Sequence, residues 1–161
     1  MTTDYRERQV IIGKEFEKYV GLEFESVGGK VIYYLTKDDQ LAHGDFSCNG
    51  VNYEVKKDTK YSVTRKLFFE TKERYDAFAS RLVPSGIFAQ SDAVWIVIGD
   101  EDNAWMFNRN ALRSAIKTMP YGFEKKNGKD DKGNNTSEGY CILIEKIESV
   151  FGKGSDYFKL W

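Results

Sequence analysis

The sequence predicts an α/β fold in one domain, residues 1–161, with a mixed β-sheet whose centre is covered by helices. Three observations lead there. Val10, Gly13, Glu17, Val20, Phe24 and Val27 recur at a 3/4 spacing, one stripe of a helix, broken only by Glu17. Asn49-Gly50, the dipeptide most favoured in a two-residue type I′ turn, separates two β-rich runs. "AVWIVI", 93–98, is a continuous apolar run of the kind found in strands buried on both faces. A chain of 161 residues, 41% apolar and 15% aromatic, can bury a core around these elements.

The elements follow in order. Asp4 with Glu7 three residues later reads as a capping box opening the first helix, and Gly28-Gly29 ends it. "KVIYYL", 30–35, is a strand, and "TKDDQLAHGD", 36–45, a polar connection. Phe46–Cys48 and Val51–Lys57 form the hairpin. "KLFFET", 66–71, is a strand and "KERYDAFASRL", 72–82, a helix, with Pro84-Ser85-Gly86 as a break. After strand 93–98, a turn at Gly99–Asn103 leads to the strand "AWMFN". Asn108 or Asn110 caps the helix "ALRSAIKTM", which Pro120 stops. The segment 124–139 mixes Lys with Asp, Gly and Asn and reads as a loop, and "GYCILIEKI", 139–147, as the last strand.

Composition narrows the function. No stretch is long or apolar enough to cross a membrane, and "MTTDYRERQV" lacks a signal-peptide layout. Cys48 and Cys141 lack metal-ligand spacing, which suits two reduced, core-filling cysteines in a cytoplasmic protein. With 24 basic and 25 acidic residues, net charge is no signal for nucleic acid. Local charge differs: between Lys56 and Arg74 there are seven basic residues and three acidic ones.

The hairpin carries the chemistry. Counting outward from Asn49-Gly50, Cys48 faces Val51, Phe46 faces Tyr53, and Asp45 faces Glu54. Phe46, Cys48, Val51, Tyr53 and Val55 share one apolar face; Asp45, Ser47, Asn52, Glu54 and Lys56 share the other. Two carboxylates set opposite each other repel, and a divalent cation would relieve them. His43, the only histidine, falls opposite Lys56 in this register and is kept as a substrate contact.

Gly44-Asp45, eight residues, then Glu54-Val55-Lys56 resembles the signature of the PD-(D/E)XK, or restriction-endonuclease-like, nuclease superfamily. The helix bearing "GKEFEKYV" looks like that family's leading helix, and "LFFE" followed by "GIFAQSDAVWIVIGDEDNAWMF" is similar to later strands of phage-type and Holliday-junction-resolvase-like members. The resemblance covers roughly residues 10–117, and Gly44 stands where the name-giving proline would be.

It implies a three-layer core with a mixed sheet flanked by helices, and Mg²⁺- or Mn²⁺-dependent endonucleolytic hydrolysis of DNA phosphodiesters, structure-selective in the manner of a resolvase or repair enzyme. Asp45 and Glu54 would hold the cation with the Val55 carbonyl, and Glu17 (or its neighbour Glu15) would be a third carboxylate. Lys56 would stabilise charge on the phosphate rather than take a proton. Glu70 would orient Lys56, or else be an exposed strand end. Lys57, Lys60, Arg65 and Lys66 would contact phosphates. Such nucleases commonly dimerise to cut two strands, and need no organic cofactor. The competing reading is a catalytically inactive module of the same fold that binds nucleic acid or protein.

Overall fold

Fixing the first helix takes only a few large side chains. In α1 (Thr2–Ser26), Phe16 and Val20 are fully buried, with Tyr19 and Phe24 packed beside them. Of the expected stripe, Val20 and Phe24 pack into the core while Val10 and Val27 at its ends are exposed; Phe16, beside the stripe, is buried instead, which leaves Glu17 at the margin of the buried face. The helix is already running at Asp4, so the Asp4/Glu7 capping box does not open it. It ends as expected: Gly29 N–H donates to Phe24 C=O and Gly28 N–H to Glu25 C=O, the paired bonds of a Schellman stop. The computed structural model describes residues 2–74, 81–130, 132–152 and 154–161.

The described residues form two sheets. The larger has the order β1 (Val31–Tyr33), β2 (Phe46–Cys48), β3 (Val51–Lys57), β6 (Trp95–Gly99), β7 (Ala104–Asn108) and β10 (Tyr157–Lys159). Only the β3–β6 pair is parallel, so the sheet is mixed, as expected. The smaller sheet is antiparallel, in the order β5 (Leu82–Pro84), β4 (Lys66–Arg74), β9 (Asn135–Leu143), β8 (Glu124–Lys129).

Two apolar clusters lie on opposite faces of the larger sheet. Phe16 and Val20 of α1 meet Phe46, Cys48, Val55, Val97 and Ala104. On the other side Ile96, Ile98, Trp105 and Phe107 meet Leu67, Phe69 and Ile142 of the smaller sheet, and Leu112 and Ile116 of α4 (Arg109–Thr118). The protein is therefore α/β with three layers, but one of the flanks is mostly a second sheet rather than helices. β6 is buried on both faces, as its apolar run predicts.

Other expectations change. The polar connection contains α2 (Lys37–His43), capped by Thr36, whose side chain accepts from Asp39 N–H. Residues 72–74 extend β4 rather than starting a helix, Leu82 belongs to β5, and 75–80 lie outside the described residues. The 124–139 loop is a β8–β9 hairpin, closed by Asp130, which accepts from Asn134 N–H. The last strand starts earlier, at Asn135, and stops at Leu143. A 3₁₀ turn, α5 (Ile147–Phe151) and β10 follow it. Asn108, not Asn110, caps α4 through Ala111 N–H.

Candidate active site

The hairpin register is as counted: Phe46↔Tyr53, Ser47↔Asn52 and Cys48↔Val51, with Asn49 at φ 51° and Gly50 at φ 81°, the left-handed pair a type I′ turn requires. The ladder then stops one pair short of the expected Asp45–Glu54 partnership. Asp45 N–H donates to Tyr53 C=O at 2.8 Å, and the Asp45 carboxylate turns along β3 to accept the Val55 N–H at 2.7 Å. Beyond Tyr53, β3 therefore has β6 on one side and the Asp45 side chain on the other. Because a residue's N–H and C=O lie on the same side of a strand, the Val55 carbonyl also faces this open notch.

The cause is Gly44, the end of α2. Its φ of 90° belongs to glycine, its N–H donates to Gln40 C=O at 2.8 Å, and a Cβ there would stand 2.6 Å from Tyr53 C=O. A proline fits none of this: it has no N–H and its φ is near −65°. The departure from the family signature thus follows from α2 running directly into the hairpin. His43 consequently sits at the end of α2 rather than across from Lys56. Its Nδ1 lies 3.0 Å from Asp92 Oδ2, and Asn52 Nδ2 donates to Asp92 Oδ1 at 2.6 Å.

Glu54 and Lys56 point away from Val55, on the face they share with Ile96 and Ile98, their partners across the β3–β6 ladder. With Asp45 and Glu17, Glu54 and Lys56 form one set of interacting charges. Desolvation pushes the Asp45 carboxyl up to about 6, with Glu17 adding to the rise and the Val55 N–H and Lys56 opposing it. Desolvation pushes Glu54 up to about 7, opposed by Lys56 and Arg109 and reinforced by Asp45 and Glu70. Glu17 is raised by burial, with Lys14 and Lys56 opposing and Glu54 adding. For Lys56, desolvation acts downward, but the carboxylates of Glu70, Glu54, Asp45 and Glu73 outweigh it, so its ammonium keeps its proton. Lys56 is nonetheless exposed by area, with these carboxylates acting on it from beyond ion-pair distance.

Among the described residues, the side chains of Glu17, Glu54 and Lys56 make no hydrogen bond and no ion pair within 4 Å. Asp45 and Glu54 therefore offer oxygens for a cation, while Lys56 is near but unbound. No group of three or more His, Cys, Asp or Glu among the described residues converges tightly enough to be a ready-made metal centre. The donor set is the carboxylates of Asp45 and Glu54, a strand carbonyl and Glu17, the foremost charge acting on Asp45. Hard oxygen donors of this number suit Mg²⁺, which keeps several waters.

Glu70, on β4, reaches the site from the smaller sheet; Ser85 Oγ donates to it at 2.8 Å, and its charge is the foremost of those raising Lys56. Glu15 is exposed on α1. The expected phosphate-contacting run is not delivered as a group. Lys57 points to the α1 face, with Nζ 2.7 Å from Glu101 and 5.9 Å from the Phe16 ring centroid. Arg65 pairs with Glu145 and Lys66 with Glu124. Lys60 is exposed at the start of α3 (Tyr61–Thr64), and Tyr61 is core, its hydroxyl donating to Asp100. Sequence reasoning missed Arg109, a buried residue close enough to feel the Glu54 charge. A basic residue after a cap asparagine is no signal in itself, and only the packing of α4 against the segment before β6 brings it near.

Comparisons with protein-family models, curated proteins and solved structures returned no match. No helix among the described residues is long and apolar enough to cross a membrane.

Proposed function

We propose that this chain is a divalent-cation-dependent nuclease of the restriction-endonuclease-like fold that hydrolyses phosphodiester bonds in DNA. One observation carries the reading: Asp45 and Glu54, raised to about 6 and about 7, are held beside a protonated Lys56 at a strand edge left open. Such a cluster works against the fold at neutral pH, and a cation relieves it. The order of leading helix, Asp-bearing hairpin and Glu-x-Lys strand supports the same family.

Asp45, Glu54 and the Val55 carbonyl would hold Mg²⁺ or Mn²⁺, with Glu17 reaching in directly or through water. When bound, the ion would polarise the scissile phosphate and acidify an attacking water. The Val55 N–H fixes the Asp45 carboxylate, so one oxygen stays aimed outward. Lys56 stabilises negative charge growing on the phosphate; a lysine held above its ordinary range is a poor base and a good electrostatic partner. Glu70, anchored by Ser85, keeps Lys56 charged and on this face.

The test is a cleavage assay on supercoiled plasmid, linear duplex, single strand, RNA and a four-way junction, each with Mg²⁺, Mn²⁺ or EDTA. We expect metal-dependent cutting of DNA that drops at least about 100-fold in Asp45→Asn and Lys56→Ala with melting curves still cooperative. Cutting that survives both substitutions would place the chemistry elsewhere. Cation binding without cleavage of any substrate would favour the inactive binding module.

A further inference from the structure

α4 carries Arg109, Arg113 and Lys117 four residues apart, so one helix face presents three cations. All three line a cavity of about 500 Å³ with Phe88, Ala89, Gln90 and Ser91. The two guanidinium groups are aimed by backbone. Arg109 donates to Ser91 Oγ at 2.6 Å and to the Ala89 and Ser91 carbonyls, while Arg113 donates to the Ile87 and Ala89 carbonyls. Arg113 and Lys117 also lie over the Phe88 ring, at 5.8 and 5.7 Å from its centroid.

Holding a loop explains part of this, but not the charge. Among the described residues none of the three has a carboxylate ion-pair partner, whereas Lys57, Arg65, Lys66, Lys72 and Lys126 each do. Burial and the neighbouring Arg113 both press on the Arg109 charge. Fixed, uncompensated guanidinium groups around an open hollow select a phosphate: their planar forks match its oxygens, and both keep spare N–H donors. Arg109 N–H donates to Val94 C=O and Val94 N–H to Asn52 C=O, both at 2.9 Å, so hydrogen bonds tie this end of the hollow to β3, and Arg109 feels the Glu54 charge.

We infer that the Arg109–Arg113–Lys117 pocket binds a backbone phosphate of the DNA strand beside the one being cut. The inference rests on the nuclease reading for its ligand, and the continuity through Arg109 is what favours a strand over a free anion. It also explains how a chain with no net positive charge would grip DNA: three cations are gathered around one open hollow.

The experiment measures binding of a fluorescent duplex in EDTA across a salt series, for the full chain and three variants. The first is Arg113→Gln/Lys117→Gln. The second is Lys117→Gln alone, an exposed residue that makes none of the loop's hydrogen bonds. The third is the charge-matched Lys125→Gln/Lys129→Gln on the distant hairpin. We expect the double pocket variant to bind about 10-fold or more weakly, with the log–log salt slope reduced by about 2, and Lys117→Gln to lose a slope of about 1. The Lys125/Lys129 variant should stay within about 2-fold of wild type. Equal loss in pocket and control variants, or Lys117→Gln indistinguishable from wild type, would overturn the inference. So would stabilisation of the wild type by inorganic phosphate with unchanged duplex binding in the pocket variants, which would mark a free-anion site. Metal-dependent cleavage by the wild type reports separately on the nuclease reading. Pocket-dependent binding without cleavage would retire the nuclease reading and leave the pocket as a DNA-phosphate site, and cleavage with pocket-independent binding would retire the pocket inference alone.

Discussion

At the scale of single residues, the site can be recognised by what it does to stability. Glu54 ionises only near pH 7 in the folded chain, against about 4.5 for a free side chain. The native state therefore holds a proton that the unfolded state gives up, and stability falls as pH rises between those values. Below about pH 4 the penalty is absent; above about 7 it is complete. Glu54→Gln should flatten this dependence and make the cation-free protein more stable at pH 8 by about 1–3 kcal/mol, read by urea denaturation. A steeper dependence in the variant would contradict the assignment. Gly44 is the opposite kind of residue, needed for shape. Gly44→Pro should destabilise by about 3 kcal/mol or more, since it loses the Gln40 hydrogen bond and cannot adopt φ 90°. The proline of the signature this hairpin resembles would thus be harmful here, a point that equilibrium unfolding of Gly44→Pro decides.

At the scale of elements, α1 matters because its burial sets where Glu17 points. Phe16 has no exposed surface, so Phe16→Ala should cost about 3–5 kcal/mol and lower metal affinity as the helix loosens. Thermal unfolding with and without Mg²⁺ measures both effects. The hairpin was legible from sequence because two residues, Asn49 and Gly50, dictate the turn, and the turn dictates the register. The pairing of Asp45 with Glu54 was not. It required the ladder to continue, and α2 entering through Gly44 ends it first. That helix was hidden inside a polar segment with no buried residue of its own. The helix stripe holds at its middle, where Val20 and Phe24 pack, and fails at its ends, where Val10 and Val27 match the period but are exposed. Segment 124–139 looked like a loop because every residue of β8 but Gly128 is exposed; pairing with β9, not side-chain burial, makes it a strand.

At the scale of the whole molecule, Glu54 and Lys56 of β3 feel Glu70 of the second sheet, and Glu54 feels Arg109 of α4. Glu70 and Arg109 are far from the hairpin in sequence, and their approach depends on how the two sheets pack. That is why the sequence motif exposes the centre of the site but not its surround. The assembled site couples metal and fold: a cation that binds only the native chain at 100 times its dissociation constant adds about 2.7 kcal/mol. Mg²⁺ should therefore raise the melting temperature of the wild type at pH 8, and that rise should shrink in Asp45→Asn and vanish in Asp45→Asn/Glu54→Gln. An equal rise in the double variant would place the cation elsewhere.

The hydrogen bond from Val55 to Asp45 has a consequence for how this protein behaves at high concentration. A strand whose backbone is uncovered on one side is a template on which a second chain can build, and proteins protect such positions with charge. Asp45 occupies the Val55 N–H and places a carboxylate in the way of any incoming strand. The carboxylate proposed to hold the cation is thus also a guard against self-association. Asparagine at this position keeps an oxygen to accept the bond, whereas alanine leaves the N–H bare. Asp45→Ala should form oligomers in light scattering at concentrations where Asp45→Asn remains dispersed, although neither would cut DNA.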